Sequence, residues 1–421
     1  MDKEILQRAV INNWEIFKNK DKGIIRDYLL EFETLIKNPI TIIITGHRRV
    51  GKSTLFLQIA EKYYPNNYFY LDFSDPALKN LTELDYEPLY EIFLKEFGYK
   101  KAFFFDEIQG KPEWNKFVNN LRERGHKCFV TGSNADMLSS EISTHLTGRH
   151  LNKIIFPFSF KEFLEYKSAN YKLQSTANTA KILKIFDEYL NAGGFPEVVL
   201  YAPPGLLKEI YKDIITKDII GRWGVNDITE LEDLCYYLLS HTTNEFTYNS
   251  LKKYTNIKDP KTIKKYIEYI TRTYFLYELT QFDYSLKKQK KKIKKIYCID
   301  NGFLTDVGYA FSINKTRFLE NLIFIELKRR NKEIYFYRDE KNLECDFLVI
   351  ENKKVKEAIQ VCYNPEKLET EDREINGLIS ALQKYKLENG KIITYNTRKT
   401  IKKGKYTIEF VPAHIWLIKK E

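Results

Sequence analysis

A chain of 421 residues, 43% hydrophobic and 30% charged, has room for two to four compact domains at roughly 100–200 residues each and is not a disordered polymer. Its 68 Lys plus Arg against 57 Asp plus Glu leave a net charge of +11, which favours an anionic partner, nucleic acid or membrane surface, without choosing between them. A charged N-terminus, no apolar run of about 18 residues, and cysteines and histidines without metal-ligand spacing argue against export, a membrane span and a zinc site; a reducing, cytoplasmic location is expected.

Residues 40–45 (ITIIIT) form a β-branched apolar run of strand length. They lead into Gly46-His47-Arg48-Arg49-Val50-Gly51-Lys52-Ser53, which matches G-x-x-x-x-G-K-[ST]. Thr54 follows, and Leu55, Ile59 and Tyr63 then recur at i, i+4 and i+8, the period of an amphipathic helix. Gly46 and Gly51 let backbone amides turn towards phosphate oxygens at the helix N-terminus. Lys52 brings a cation to the β- and γ-phosphates, and Ser53 offers a hydroxyl to Mg²⁺. Residues 46–54 are therefore read as an ATP site.

The apolar run 102–105 ends in Asp106-Glu107. Asp106 is expected to hold Mg²⁺, directly or through water. Glu107 either polarises the attacking water or caps the next turn, and an Asp-Glu pair favours hydrolysis over nucleotide storage. A third strand at 128–131 runs into Gly132, Ser133 and Asn134, and either Ser133 or Asn134 is expected to orient the water. Two readings of Arg149 stand: neutralising transition-state charge, in this subunit or a neighbouring one, or an ordinary surface ion pair. Oligomerisation stays open with it.

The series GHRRVGKS, FFFDEIQ, TGSNADML, LTGR and FPFSFKEFL resembles the AAA-type ATPases of archaea and bacteria that carry a winged-helix module and a C-terminal restriction-endonuclease-like domain. The resemblance extends from about residue 25 to about residue 418. It implies a five-stranded parallel sheet around the nucleotide. In Asn191-Ala192-Gly193-Gly194-Phe195-Pro196 it also implies a proline near the adenine, making Pro196 a base contact; a plain turn between helices explains the same residues.

In the middle region, residues 246–254 read as the first helix of a helix-turn-helix, and Asp259-Pro260 as an N-cap and N1 pair opening the second. Ile263, Ile267 and Ile270 form an apolar stripe, with Lys261, Lys264, Lys265 and Arg272 off it, as a helix contacting phosphates or a major groove requires. A lysine run follows: Lys287, Lys288, Lys290, Lys291, Lys292, Lys294 and Lys295. As a wing tip it is a nucleic-acid footprint, with Lys290, Lys291 and Lys292 as candidate DNA contacts; as a solvated loop it means nothing.

From residue 316 the pattern is helix, three strands and helix. The restriction-endonuclease-like resemblance implies an Asp on one strand and E-x-K on the next, with the carboxylates holding Mg²⁺. Asp346 fits the first position and Glu320 is a helix-borne helper, but the second position reads Gln360-x-Cys362, so cleavage is in doubt. Lys353, Lys354 and Lys356 are nearby cations.

The expected architecture is α/β in three parts. Residues 1–165 form an AAA-type P-loop parallel-sheet domain, 166–300 a helical lid and winged helix, and 301–421 a restriction-endonuclease-like domain. ATP with Mg²⁺ hydrolysed in step with double-stranded DNA binding is the leading expectation. An ATP-switched scaffold with a protein partner and an ATP-gated endonuclease are the alternatives.

Overall fold

The computed structural model describes residues 1–133, 148–171, 175–290, 292–308, 314–365 and 368–419, which cluster into two compact units, 1–156 and 157–421. In the first unit the strands β1 (Thr41–Gly46), β2 (Tyr68–Asp72), β3 (Ala102–Asp106), β4 (Lys127–Gly132) and β5 (His150–Ile155) form a parallel sheet in the order β2-β3-β4-β1-β5. Helices α1 (Lys3–Lys18), α2 (Lys52–Tyr63), α3 (Tyr86–Phe97) and α4 (Trp114–Glu123) accompany it. Strands covered on both faces need apolar side chains in both directions, which is why β3 reads as unbroken phenylalanines. Phe103 and Phe105 join Val10, Leu89, Phe93 and Trp114 in one core, while Phe104 turns the other way, 5.2 Å from the ring of Phe56 on α2.

The strand order positions the site. Because β4 lies between β1 and β3, the ends of these strands bring Gly46, Asp106 and Thr131 to one edge of the sheet.

In the second unit, helix α5 (Ile228–Ser240), strand β6 (Glu245–Phe246), helices α6 (Tyr248–Leu251) and α7 (Pro260–Arg272), and strands β7 (Leu276–Thr280) and β8 (Lys294–Cys298) follow in that order. The strands pair antiparallel as β6-β8-β7. Asp259 caps α7 by accepting from the Lys261 N–H, with Pro260 at N1; Ile263, Tyr266, Ile267 and Ile270 are its buried face. The expected helix over 246–254 is shorter than its pattern suggested: Phe246 is taken into β6, and α6 begins only after the Thr247 cap.

Helix α8 (Lys315–Arg329) then leads into strands β9 (Glu333–Arg338), β10 (Glu344–Glu351) and β11 (Lys354–Cys362), helix α9 (Leu368–Tyr385), and strands β12 (Asn389–Thr394), β13 (Lys399–Lys403) and β14 (Tyr406–Pro412). The sheet order is β13-β14-β12-β11-β10-β9, with β9, β10 and β11 antiparallel and β11, β12 and β14 parallel. Leu348, Ile392 and Phe410 pack under Ile375, Leu378 and Leu382 of α9. The fold is thus mixed α/β, with a P-loop parallel sheet and a C-terminal sheet domain. No helix among the described residues is long and apolar enough to cross a membrane.

Candidate functional site

The Gly46–Lys52 loop is shaped by close approach and by left-handed backbone. Gly46 has φ +147°, and a Cβ there would lie 2.4 Å from the Ile155 carbonyl oxygen, so only glycine lets β1 end beside β5. Arg49 and Gly51 adopt φ of 63° and 92°. From beneath, the buried Arg26 guanidinium donates to the Val50 carbonyl at 2.7 Å and to the Phe156 carbonyl at 2.6 Å, pinning the loop to the strand end. His47 is buried; burial, with Lys52 and Arg48 close by, pushes its imidazole down to about 3, so it adds no charge. Arg48 is half-buried, Arg49 exposed, and Ser53 and Thr54 half-buried at the start of α2.

Lys52 is buried and donates to the carbonyls of Gly46 (3.2 Å) and His47 (3.1 Å), with Glu107 Oε1 at 3.4 Å. Burial pushes the Glu107 carboxyl up, but Lys52, the Gln109 amide and the Ser133 hydroxyl outweigh it and hold it below the usual carboxylate range. Asp106 is buried and accepts from the Tyr70 hydroxyl at 3.1 Å and from the Thr131 hydroxyl. The same Thr131 oxygen accepts from the Glu107 N–H at 2.9 Å, so one side chain sets both acids. Ser53 and Asp106 are hard oxygen donors and suit Mg²⁺.

Arg149 lies elsewhere. Thr41 at the start of β1 donates to its carbonyl at 3.0 Å, and its guanidinium pairs with Glu123 at 3.6 Å. It stands at the opposite edge of the sheet from Gly46, about 16 Å away over a six-residue strand, beyond side-chain reach of this chain's own loop. Asn134 falls outside the described residues, as does Lys291.

A family model described as "AAA domain" matches residues 38–164, the span that carries this loop and both acids. "Domain of unknown function (DUF8612)" matches 183–315 and "Domain of unknown function (DUF4143)" 315–416. The "Uncharacterized protein MJ1544" of Methanocaldococcus jannaschii is 37% identical over 99% of this chain and 96% of its own. The chain belongs to that family. An "Uncharacterized protein" of Haemophilus influenzae is 31% identical over 69% of this chain and 75% of its own. The solved Aeropyrum pernix Orc1 protein in complex with DNA aligns at TM-score 0.31 and 9% identity, over 76% of this chain and 98% of that one, a likeness too low to carry an argument. Residues 38–164 are an AAA-type, P-loop ATP-binding ATPase domain.

Beyond the AAA domain, Pro196 opens the short helix Pro196–Tyr201 and is buried. The glycines before it admit a carboxylate: a Cβ on Gly193 would overlap Asp300, whose Oδ2 accepts from the Gly194 N–H at 2.7 Å.

The DUF8612 segment exposes Lys261, Lys264 and Lys265 on α7, with Lys252, Lys253 and Lys258 before it. Arg272 is half-buried and pairs with Glu268 at 2.7 Å. In the lysine run, Lys287, Lys288 and Lys290 are exposed and Lys292 is half-buried, 3.9 Å from Asp283. Lys294 and Lys295 depart from the expected wing tip: both are in β8 and buried.

Lys295 ends among the residues singled out in the C-terminal sheet. Its Nζ lies 3.0 Å from Glu320 Oε1 and 3.3 Å from Asp346 Oδ1, and it pairs with Glu344. Burial alone would push this ammonium down, but the surrounding carboxylates and Tyr297 hold it well above its usual value. Asp346 is pushed well up by burial and by Glu320. Gln360 accepts from the Asp346 N–H at 3.1 Å and donates to Glu374. Cys362 is buried and its thiol is pushed up to about 12, so it supplies no thiolate. A cavity of about 520 Å³ opens over the cluster, lined among others by Arg317 and Arg373.

Sequence reading missed Arg26, Tyr70, Thr131 and Lys295. For Thr131 a signal existed, a polar residue closing an apolar strand. For Lys295 the signal was its alternation with Tyr297, which also reaches Glu320, at 2.8 Å.

Proposed function

We propose that the chain hydrolyses ATP with Mg²⁺ at the Gly46–Thr54 loop and couples turnover to double-stranded DNA bound by residues 228–298. The observation that carries hydrolysis is the Glu107 carboxylate, kept ionised beside Lys52 and aimed by Thr131 and Ser133. Phosphate oxygens arriving in the loop compete for the Lys52 ammonium. Glu107, relieved of that partner, accepts the proton of the attacking water. Ser53 and Asp106 would hold Mg²⁺, which when bound neutralises charge developing on the phosphates. Arg149 is assigned no role at this chain's own phosphate; any contribution is to a neighbouring copy.

What supports the DNA reading is the order helix, strand, helix, helix, strand, strand over 228–298, with a four-residue helix Leu286–Gln289 between the last two strands, that of a winged helix, with lysines on the solvent side of α7. The run of α8, β9, β10, β11, α9 and β12 likewise supports a restriction-endonuclease-like C-terminal domain. The test is steady-state ATP hydrolysis with and without double-stranded DNA at low and moderate salt, with Lys52→Ala as the control. Stimulation that fades as salt rises supports the coupling. A rate indifferent to DNA at both salts transfers the reading to an ATP-switched protein with a protein partner.

A further inference from the structure

Four ionisable groups from three elements meet beneath the C-terminal cavity: Lys295 of β8, Glu320 of α8, and Glu344 and Asp346 of β10. Two of the carboxylates have further partners. Asp346 Oδ2 accepts from the Val361 N–H at 2.9 Å, and Glu320 Oε1 also accepts from the Tyr297 hydroxyl at 2.8 Å. Gln360, in the place where a second metal-binding carboxylate is expected, is spent on the Asp346 backbone and on Glu374. With Lys295 Nζ standing between the Glu320 and Asp346 oxygens, the residues do not fit a divalent ion as they stand.

We propose that the Lys295 ammonium is the resident cation of this cluster in place of a divalent metal, so that the C-terminal site holds no Mg²⁺, cuts no phosphodiester, and instead fastens strand β8 to the C-terminal sheet. Mg²⁺ coordinated by Glu320 and Asp346 sits roughly 2.1 Å from their oxygens, which puts it in the space the ammonium fills. Two cations there repel each other in a buried setting where screening is weak. The ammonium's hydrogen-bond donors meet three carboxylates, the arrangement that makes a buried charge tolerable. Removing the ammonium leaves those carboxylates facing one another, a site that then demands a proton or a metal. The inference holds whether or not the AAA domain turns over ATP.

The test is Mn²⁺ binding to the nucleotide-free full chain, read from loss of the free-ion EPR signal. Wild type, Asp346→Asn and Glu320→Gln are expected to give superimposable titrations, and Lys295→Met to gain about one Mn²⁺ per chain that Lys295→Met/Asp346→Asn does not. Supercoiled DNA incubated with wild type and Mg²⁺ or Mn²⁺ stays intact. A wild-type Mn²⁺ site abolished by Asp346→Asn, or nicking that depends on Asp346, overturns the proposal by making Lys295 a partner of the metal rather than its substitute. A folded Lys295→Met chain that gains no site also overturns it. Should Lys295→Met fail to fold, the comparison of wild type with the two carboxylate variants still decides.

Discussion

Lys52 Nζ stands 3.4 Å from Glu107 Oε1, so the cation proposed to bind phosphate and the acid proposed to activate water are paired with each other in the nucleotide-free chain. The ammonium, with the Gln109 amide and the Ser133 hydroxyl, outweighs burial and lowers the Glu107 pKa.

Glu107→Gln is expected to cut turnover by about 10²–10⁴-fold while leaving nucleotide binding intact, because the amide cannot accept the water's proton. Phosphate release and a fluorescent-nucleotide titration on the same preparation check this. Equal losses in both would assign Glu107 to binding.

Thr131→Val strands a buried Asp106 oxygen and the Glu107 N–H together, and is expected to cost about 1–3 kcal/mol of stability, with slower turnover. Thr131→Ser restores both bonds and should recover most of each loss. Urea unfolding and ATPase rates measured side by side give the answer.

Replacing Lys261, Lys264 and Lys265 with Glu should weaken binding to double-stranded DNA and flatten its salt dependence by about 0.9 in log–log slope for each phosphate that the helix no longer neutralises. Fluorescence anisotropy across a salt series reads this directly. An unchanged slope would remove α7 from the DNA surface.

Asp300 gives a pH signature. It is buried; burial raises its carboxyl to about 6, against the opposing effect of the Gly194 and Gly302 N–H donors. The folded state therefore binds the proton more tightly than the unfolded chain, with its pKa of about 3.9. The resulting stability is present below about pH 4 and is lost as pH rises to about 6, by about 3 kcal/mol at most. Denaturant unfolding at pH 4.5 and pH 7 should show the drop, and Asp300→Asn should remove most of it.

The nucleotide loop was legible because its chemistry is contiguous. The glycines, Lys52 and Ser53 act from neighbouring positions on one strand–loop–helix turn, and Asp106-Glu107 likewise closes a single apolar strand. The helix, three strands and helix from residue 316 were legible for the same reason, since alternation and helical period are local, whereas β12, β13 and β14 were not read. Thr131 was passed over for Ser133 and Asn134 because its value depends on which strand lies beside β3. Arg149 read equally well as near or far, since only the pairing of β5 with β1 sends it to the opposite edge.

The sequence by itself determined that this chain carries an AAA-type ATP-binding domain, because backbone conformation and side-chain chemistry are there dictated by residues next to one another. Tertiary structure alone decided the fate of Lys295. Seven lysines in nine positions read as a wing tip for nucleic acid or as a solvated loop. The pairing of β8 between β6 and β7 turns one of them inward, where three carboxylates from distant positions offset the cost of burying its charge.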